Sequence, residues 1–249
     1  MPQPLSRRQG LIATATLMTP WWLSGCRRTP RRVHDDDRGP EQTPRRMIPL
    51  GDSPGRGAED PLVTVVLFSD FRCKFCWQAA GTMEGVLAAR GKDVRLVFKH
   101  RPGATTGPKA LPALAAEAAH RQGKFWPLHD LLMHNPQQLE DADLRRYAGQ
   151  CGLDLQRFQR DFADPSLSRR LESDREISDR FSVPGTPCFF LNGRRAFLGK
   201  LEARLAEELG HAEGFLRRGT PRGQLYAAVT SWSPPAQVSA SGKEAAGRL

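Results

Sequence analysis

Two apolar runs in the first half of the chain have the length and composition of buried strands. LVTVVLF, at Leu62–Phe68, is continuous and rich in β-branched residues, and DVRLVFKH follows at Asp93–His100. Between them, WQAAGTMEGVLAAR has the spacing of a helix that ends at Gly91. Strand, helix and strand in this order predict a βαβ unit with parallel strands.

A long helical block and a β-hairpin follow this unit. Residues 102–182 contain the helical patterns LPALAAEAAHRQ, FWPLHDLLM, DADLRRYAGQ, LDLQRFQRDF and SLSRRLESDREISDRF. PCFFLNG and RRAFLG then predict two strands joined by a turn at Asn192–Gly193. The stretches LEARLAEELGHAEGFLRR and RGQLYAAVTS predict the last helices. Because the hairpin must extend the sheet begun by Leu62–Phe68, we predict one α/β domain over residues 61–231 with an all-helical insertion.

The first 26 residues have the features of an export signal. Arg7 and Arg8 precede GLIATATLM, an apolar stretch too short to span a bilayer. The segment closes with LSGC at Leu23–Cys26, which resembles the lipobox of bacterial lipoproteins. That resemblance implies a signal peptide over residues 1–26 and a lipid on Cys26. SRRQGLI is also similar to a twin-arginine export signal, so the export route stays open, and a buried N-terminal helix with an incidental cysteine is the alternative.

Polar segments flank the predicted domain on both sides. The stretch RRTPRRVHDDDRGPEQTPRR cannot bury an apolar face, so we predict a flexible tether over residues 27–60. From residue 232 the composition turns to Pro, Ser, Ala and Gly, which predicts a disordered tail over residues 232–249. Export to the periplasm or cell envelope would place the cysteines in oxidising conditions.

The net charge of +10 is concentrated ahead of the domain. Residues 1–46 carry nine arginines and four acids, which accounts for half of the excess. Within the domain acids and bases alternate, as in DREISDR, which predicts a mixed solvated surface. No basic run with stacking aromatic residues occurs there, so we expect no nucleic-acid partner.

Cys73 and Cys76, in SDFRCKFCWQ, lie where a predicted strand ends and a helix begins. A structural zinc site needs four ligands, and the chain has no second C-x-x-C. A purely structural disulfide would close a very small loop and stabilise little. A redox pair has a positive argument, because the helix N-terminus and Lys74 both favour a thiolate on Cys73. Cys73 would then attack or be attacked and Cys76 would resolve the mixed disulfide, with no metal or other cofactor.

Four blocks of sequence together resemble one family. FSDFRCKFC, VFKHRP, AAEAAHRQGKFWPLHDLL and VPGTPCFFLNGR are similar to blocks of the DsbA-like thiol:disulfide oxidoreductases of bacterial cell envelopes. The resemblance covers roughly Pro61–Ser231 and implies a thioredoxin fold with a helical insertion. It implies catalysis by Cys73 and Cys76, with Thr186 pairing with an extended client segment and Pro187, in cis, packing against the sulfurs. The implied partners are unfolded or partly folded exported proteins and a membrane redox partner that resets the pair.

The chain departs from the family's pattern at three places. Leu67 stands where the family often has a buried glutamate that relays the proton of the resolving thiol, and Asp70 is not its substitute. Lys74–Phe75 replaces the usual proline followed by an aromatic residue or histidine, which changes the expected redox potential. Cys188 follows Pro187, where the family tends to have a small residue or threonine.

The remaining cysteines and histidines have weaker signals. Cys151 and Cys188 are interpreted as free thiols packed like small hydrophobic residues, and a second disulfide between them is the alternative. His100, His120 and His129 lie in family-like blocks, and we interpret them as packing or surface residues.

Three functional interpretations remain open at this point. The first is an extracytoplasmic oxidoreductase that exchanges disulfides with exported clients. The second is a reductase or isomerase of the same fold, kept reduced by a membrane electron donor. The third is a lipoprotein binding module in which the cysteine pair is a plain staple.

Overall fold

The computed structural model describes residues 44–232, and secondary structure is numbered over this part of the chain. The strands are β1 (Gly55–Gly57), β2 (Val63–Ser69), β3 (Val94–His100), β4 (Cys188–Leu191) and β5 (Arg194–Ala196). The helices are α1 (Lys74–Arg90), α2 (Leu111–His120), α3 (Phe125–His134), α4 (Asp141–Gln150), α5 (Leu155–Phe162), α6 (Pro165–Arg180), α7 (Leu201–Arg217) and α8 (Leu225–Ser231). Short 3₁₀ turns at Pro108–Ala110, Leu198–Lys200 and Arg222–Gln224 precede α2, α7 and α8.

The five strands form one mixed sheet in the order β1-β3-β2-β4-β5. Strands β2 and β3 are parallel, with α1 between them in sequence, so the predicted βαβ unit is confirmed. Strand β4 pairs antiparallel with β2, and β5 pairs with β4, so the hairpin extends the sheet as predicted. Its turn has positive φ at Asn192 (44°) and Gly193 (81°), a conformation that these two residues tolerate better than most.

Strand β2 is the centre of the sheet, and every one of its residues is buried. Val65 and Leu67 pack with apolar residues of α1 and α7 on one face. Val66 and Phe68 pack on the opposite face in a smaller cluster that includes Ile177 of α6. The uninterrupted apolar run in the sequence therefore reflects a strand that is covered on both faces.

The helical insertion forms a second core beside the sheet. Buried side chains from α2 to α6 pack together with Phe71, in the loop before α1, and with Cys76 of α1. Seven of the ten residues of α2 are buried, and five of those are alanines, so neighbouring helices can approach this helix closely. The insertion thus covers one side of the segment that carries the cysteine pair.

The predicted flexible tether over residues 27–60 is wrong for residues 44–60. Strand β1 pairs antiparallel with β3, and Ile48 is completely buried. The Tyr226 hydroxyl donates to the Ile48 carbonyl at 2.9 Å and accepts from its N–H at 3.0 Å. Arg45, one of the charges that suggested a tether, forms an ion pair with the buried carboxylate of Glu208. Main-chain pairing and a buried counter-ion hold a segment whose composition alone predicts no structure.

The predicted signal peptide with Cys26, the rest of the predicted tether and the predicted tail beyond residue 232 lie outside the described residues. Between residues 44 and 232, no helix has the length and apolar character needed to cross a membrane.

Candidate active site

Cys73 is the N-cap residue of α1. Its backbone is extended (φ −93°, ψ 115°), and its carbonyl accepts the N–H of Cys76 at 2.9 Å. No side chain caps this helix, and no acidic residue lies in its first turn. The dipole of α1 and the backbone N–H groups of its first turn therefore favour an anion at the Cys73 sulfur.

The loop before Cys73 is held by hydrogen bonds and ring packing. The Cys73 N–H donates to the Asp70 carbonyl at 3.1 Å, and the Trp77 indole donates to the Phe71 carbonyl at 2.8 Å. The Phe71 ring is buried and stacks on Phe98 of β3 with centroids 5.6 Å apart. These contacts fix the sulfur of Cys73 relative to the end of the sheet.

The structure brings the loop before β4 against the cysteine pair. The Thr186–Pro187 peptide bond is cis, as the family resemblance implied. The Cys73 thiol donates to the Thr186 carbonyl at 3.3 Å. Thr186, Pro187 and Cys73 are all partly exposed, so these three residues border one accessible surface.

The two thiols have opposite ionisation tendencies. Partial burial alone would raise the pKa of Cys73, but hydrogen bonds from the side chains of Thr186 and Cys76 and from backbone N–H groups lower it below its ordinary value. Cys76 is completely buried, and burial raises its pKa to about 12 although the Asp70 backbone N–H donates to its sulfur at 3.5 Å. These pKa shifts favour a thiolate at Cys73 and a protonated, shielded thiol at Cys76.

Lys74 contributes differently from the sequence expectation. Its ammonium lies 5.0 Å from the centroid of the Phe75 ring, a cation–π contact with a half-exposed aromatic side chain. The leading stabilisers of the Cys73 thiolate are hydrogen bonds and not the charge of Lys74.

The profile of the thioredoxin family matches residues 50–207, which is more than half of the chain. The chain belongs to this thioredoxin family. A thioredoxin-like oxidoreductase from Silicibacter pomeroyi DSS-3 shares 25% identity and a TM-score of 0.56, over 68% of this chain and 95% of that one. The thiol-disulfide exchange protein alpha-DsbA2 from Wolbachia pipientis has 17% identity and a TM-score of 0.55, over 62% of this chain and 86% of its own. The fold is therefore DsbA-like, as the resemblance of the sequence blocks implied.

A different kind of relative matches at higher identity. The Na(+)/H(+) antiporter NhaA 3 of Salinispora tropica is 44% identical over 141 residues, which is 56% of this chain. The match spans only 22% of the antiporter's length. Transport is the activity named for the whole antiporter. Because this thioredoxin-family chain matches only part of it, that activity is not assigned to this chain.

The other cysteines of this thioredoxin-family chain lie apart from the pair. Cys73, Cys76 and Cys151 are free thiols. Cys188 is opposite Phe68 in the β4–β2 register and packs on the face of the sheet away from Cys76. Cys151, half-buried at the end of α4, packs against the insertion core, and burial raises its pKa. The interpretation of Cys151 as a packed free thiol agrees with this structure, and the alternative disulfide between Cys151 and Cys188 does not.

A set of mostly buried charged residues around the end of β3 was not predicted from the sequence. Lys99 lies 3.1 Å from Asp174, which also pairs with Arg170 at 2.7 Å. His100 Nε2 lies 2.9 Å from Glu117 Oε1, with both side chains almost completely buried. His100 is buried as expected of a packing residue, but it has a charged partner. A signal was present, because Glu117 is the one acid on an alanine-rich helix and lies four residues after the buried Ala113.

Within residues 44–232, no group of three or more His, Cys, Asp and Glu side chains is arranged to hold a metal ion.

Proposed function

We propose that this protein is a thiol:disulfide oxidoreductase that exchanges disulfides with exported protein clients through Cys73 and Cys76. The observation that carries the proposal is the contrast between the two thiols at the start of α1. Hydrogen bonds lower the pKa of Cys73, whereas burial raises that of Cys76 to about 12. A purely structural disulfide does not need this difference in pKa, but an attacking and a resolving thiol require it.

The exchange follows from this geometry. When the pair is a disulfide, a client thiolate attacks Cys73, the more exposed sulfur, and the Cys73–Cys76 bond breaks to release Cys76. A second client thiol then attacks the client sulfur of the mixed disulfide, so the client gains a disulfide and Cys73 leaves as a thiolate. Its lowered pKa makes Cys73 a good leaving group in that step. In the reductive direction the same bonds form and break in the opposite order.

The surface around Cys73 suits an extended client. Thr186 and Pro187 are partly exposed beside the sulfur, and we propose that the Thr186 backbone pairs with the client segment while Pro187 packs against the disulfide. Phe75 exposes 52% of its surface next to Cys73 and offers an apolar contact to an unfolded chain. Main-chain pairing and one apolar contact do not depend on a particular client sequence, so they favour binding of many different clients.

Transfer of a disulfide to an unfolded client tests the proposal. The oxidised protein, incubated with a reduced unfolded ribonuclease, should form ribonuclease disulfides while Cys73 and Cys76 become reduced one for one. The assay follows both partners by alkylation and mass spectrometry. Equilibration with glutathione buffers in the same preparation gives the reduction potential of the Cys73–Cys76 pair. A difference of about 30 mV between this potential and that of the client corresponds to about 1.4 kcal/mol in favour of one direction of exchange. A protein that leaves the ribonuclease reduced and keeps its own pair unchanged would refute the proposal.

We propose further that the protein is exported and is anchored to the membrane by a lipid on Cys26. A membrane redox partner would then reset the Cys73–Cys76 pair. The support is LSGC after a short apolar segment that follows Arg7 and Arg8. Cys26→Ser should move the protein from the membrane fraction to the soluble fraction. A variant that stays membrane-bound at the wild-type level would contradict the lipid anchor.

A further inference from the structure

The cis-proline loop, residues 184–187, has few main-chain contacts of its own. Pro184 and Pro187 have no N–H group to donate. The N–H groups of Gly185 and Thr186 have no main-chain acceptor within residues 44–232. The position of Thr186 beside the cysteine pair therefore depends on what holds the two ends of the loop, which are Val183 and the start of β4.

Arginine side chains hold the carbonyl groups between the end of α6 and this loop. Arg46 and Arg195 both donate to the Phe181 carbonyl, at 3.1 and 3.0 Å. Arg101 donates from its guanidinium to the Val183 carbonyl at 3.2 Å. Carbonyl groups at the end of a helix lack helical partners, and cations are favoured there. Among these three arginines, Arg101 holds the acceptor nearest to the cis-proline loop.

The main chain of Arg101 is tied to the other half of the site. Arg101 directly follows β3, and its N–H donates to the Ser69 carbonyl at the end of β2, at 2.9 Å. The next residue of that chain, Asp70, accepts the N–H of Cys73 at 3.1 Å. Arg101 therefore links the strand end that leads into the cysteine loop with the carbonyl that leads into the cis-proline loop.

The other two arginines have their main chains at the β4–β5 hairpin. The Arg46 N–H donates to the Gly193 carbonyl at 2.9 Å, and Arg195 lies opposite Phe190 in the β4–β5 register. Their guanidinium groups fix the end of α6 relative to the hairpin. Only the contact made by Arg101 relates the loop to the strand end beside the cysteines.

We propose that Arg101 is a positioning residue for client binding, which sets the separation between the Cys73 sulfur and the main chain of Thr186. The inference rests on the proposed thiol exchange. The Cys73 sulfur lies 3.3 Å from the Thr186 carbonyl oxygen, and a client segment that pairs with Thr186 must lie about 4.8 Å away, as a neighbouring strand does. A client joined to Cys73 can satisfy both conditions only if the loop is held in place. Glutathione is too short to pair along the loop, so its reaction depends on the sulfur alone.

A direct ionic contact with the client is the competing explanation for Arg101. Its side chain is 29% exposed and lies 3.9 Å from Asp179, so part of the guanidinium is within reach of an acidic client residue. A positioning residue should matter equally for uncharged and acidic clients, whereas an ionic contact should matter only for acidic ones.

Exchange rates with a peptide and with glutathione test the proposal. The oxidised full-length protein reacts with a reduced thiol, whose sulfur bonds to Cys73 while the Cys73–Cys76 bond breaks and Cys76 leaves. Arg101→Met keeps the apolar stem of the side chain and removes its donors. For a short uncharged cysteine peptide it should raise the half-saturating concentration about 10-fold, with the maximal rate within about twofold of wild type. This change corresponds to about 1.4 kcal/mol, the order of a hydrogen bond from a charged donor. The rate with reduced glutathione should stay within about twofold of wild type.

Two further variants provide the rescue and the matched control. Arg101→Lys keeps a cationic donor and should recover most of the peptide affinity. Arg95→Met is the control, because Arg95 lies on the same strand and donates to the Ala58 carbonyl at 3.3 Å. It pairs with Thr64, about 16 Å along the sheet from the strand end beside the cysteines. The control should leave the peptide and glutathione reactions unchanged.

The pattern across substrates decides between the explanations. Equal slowing with peptide and glutathione in Arg101→Met would overturn the proposal, because the damage would then lie in the thiol pair. Unchanged peptide affinity, or a loss confined to an acidic peptide, would also overturn it. Should Arg101→Met fail to fold, Arg101→Gln, with a neutral amide in place of the guanidinium, tests the same difference between substrates. Wild-type protein that reacts with neither peptide nor glutathione would instead overturn the proposed function.

Discussion

Cys73→Ala should reduce disulfide exchange with a reduced client to the uncatalysed background, a loss of several orders of magnitude. Cys73 is the partly exposed thiol with the lowered pKa, so no other sulfur of the pair can attack or leave at the surface. Cys76→Ala should have the opposite signature, because Cys73 still reacts but nothing resolves the product. Mixed disulfides between Cys73 and client should accumulate and be visible on non-reducing gels.

Cys151→Ala and Cys188→Ala are the matched controls for these two variants. Both thiols lie outside the pair, Cys188 on the opposite face of the sheet and Cys151 at the end of α4. Each variant should exchange disulfides at a rate within a few-fold of the wild type. Equal losses of activity in Cys73→Ala and Cys188→Ala would contradict the assignment of the reactive pair.

Asp174→Ala should lower the free energy of unfolding by about 3–5 kcal/mol, the usual cost of removing one partner from a buried ion pair. The Asp174 side chain is fully buried and pairs with Lys99 at 3.1 Å and Arg170 at 2.7 Å. It also accepts the His100 backbone N–H at 2.9 Å. Burial lowers the pKa of Lys99 against the opposing pull of Asp174, so loss of the carboxylate leaves that ammonium without its counter-ion. Urea denaturation followed by circular dichroism measures the loss.

Asp179→Ala provides the control on the same helix. Its side chain is 63% exposed and lies 3.9 Å from Arg101, a geometry that contributes about 0–1 kcal/mol. The two variants remove the same chemical group from α6, and only burial and pairing differ. Similar unfolding midpoints for Asp174→Ala and Asp179→Ala would contradict the role of the buried network.

The sheet was predictable because its strands carry local signals. Leu62–Phe68 has a continuous apolar run, and Asn192–Gly193 supplies a turn whose positive φ values match its residue types. Strand β1 was not predictable in this way, because its three residues, Gly55–Gly57, join the sheet through main-chain hydrogen bonds that leave no side-chain pattern. The ordered segment around Ile48 likewise depends on partners that lie far away in sequence, such as Tyr226.

Some parts of the candidate site were likewise predictable from the sequence, and others were not. The cysteine pair and the loop at Thr186–Pro187 have motifs that place them together by resemblance. The pair His100–Glu117 has no motif, because its contact depends on how α2 packs against the end of β3. The side chain of Lys74 could turn toward the sulfur or toward Phe75, and the sequence does not decide between them.

The ionisation of the two thiols in the reduced protein is the property on which the account depends. Iodoacetamide alkylation followed at each cysteine by mass spectrometry, as a function of pH, measures it directly. Cys73 should be alkylated at pH values below the ordinary thiol pKa of about 8.5, because hydrogen bonds lower its own pKa. Cys76, with a pKa of about 12, should remain unlabelled at neutral pH until the protein is unfolded. If Cys73 titrates like a free thiol, or Cys76 labels as fast as Cys73 in the folded protein, the pair has no attacking and resolving member and the redox account is contradicted.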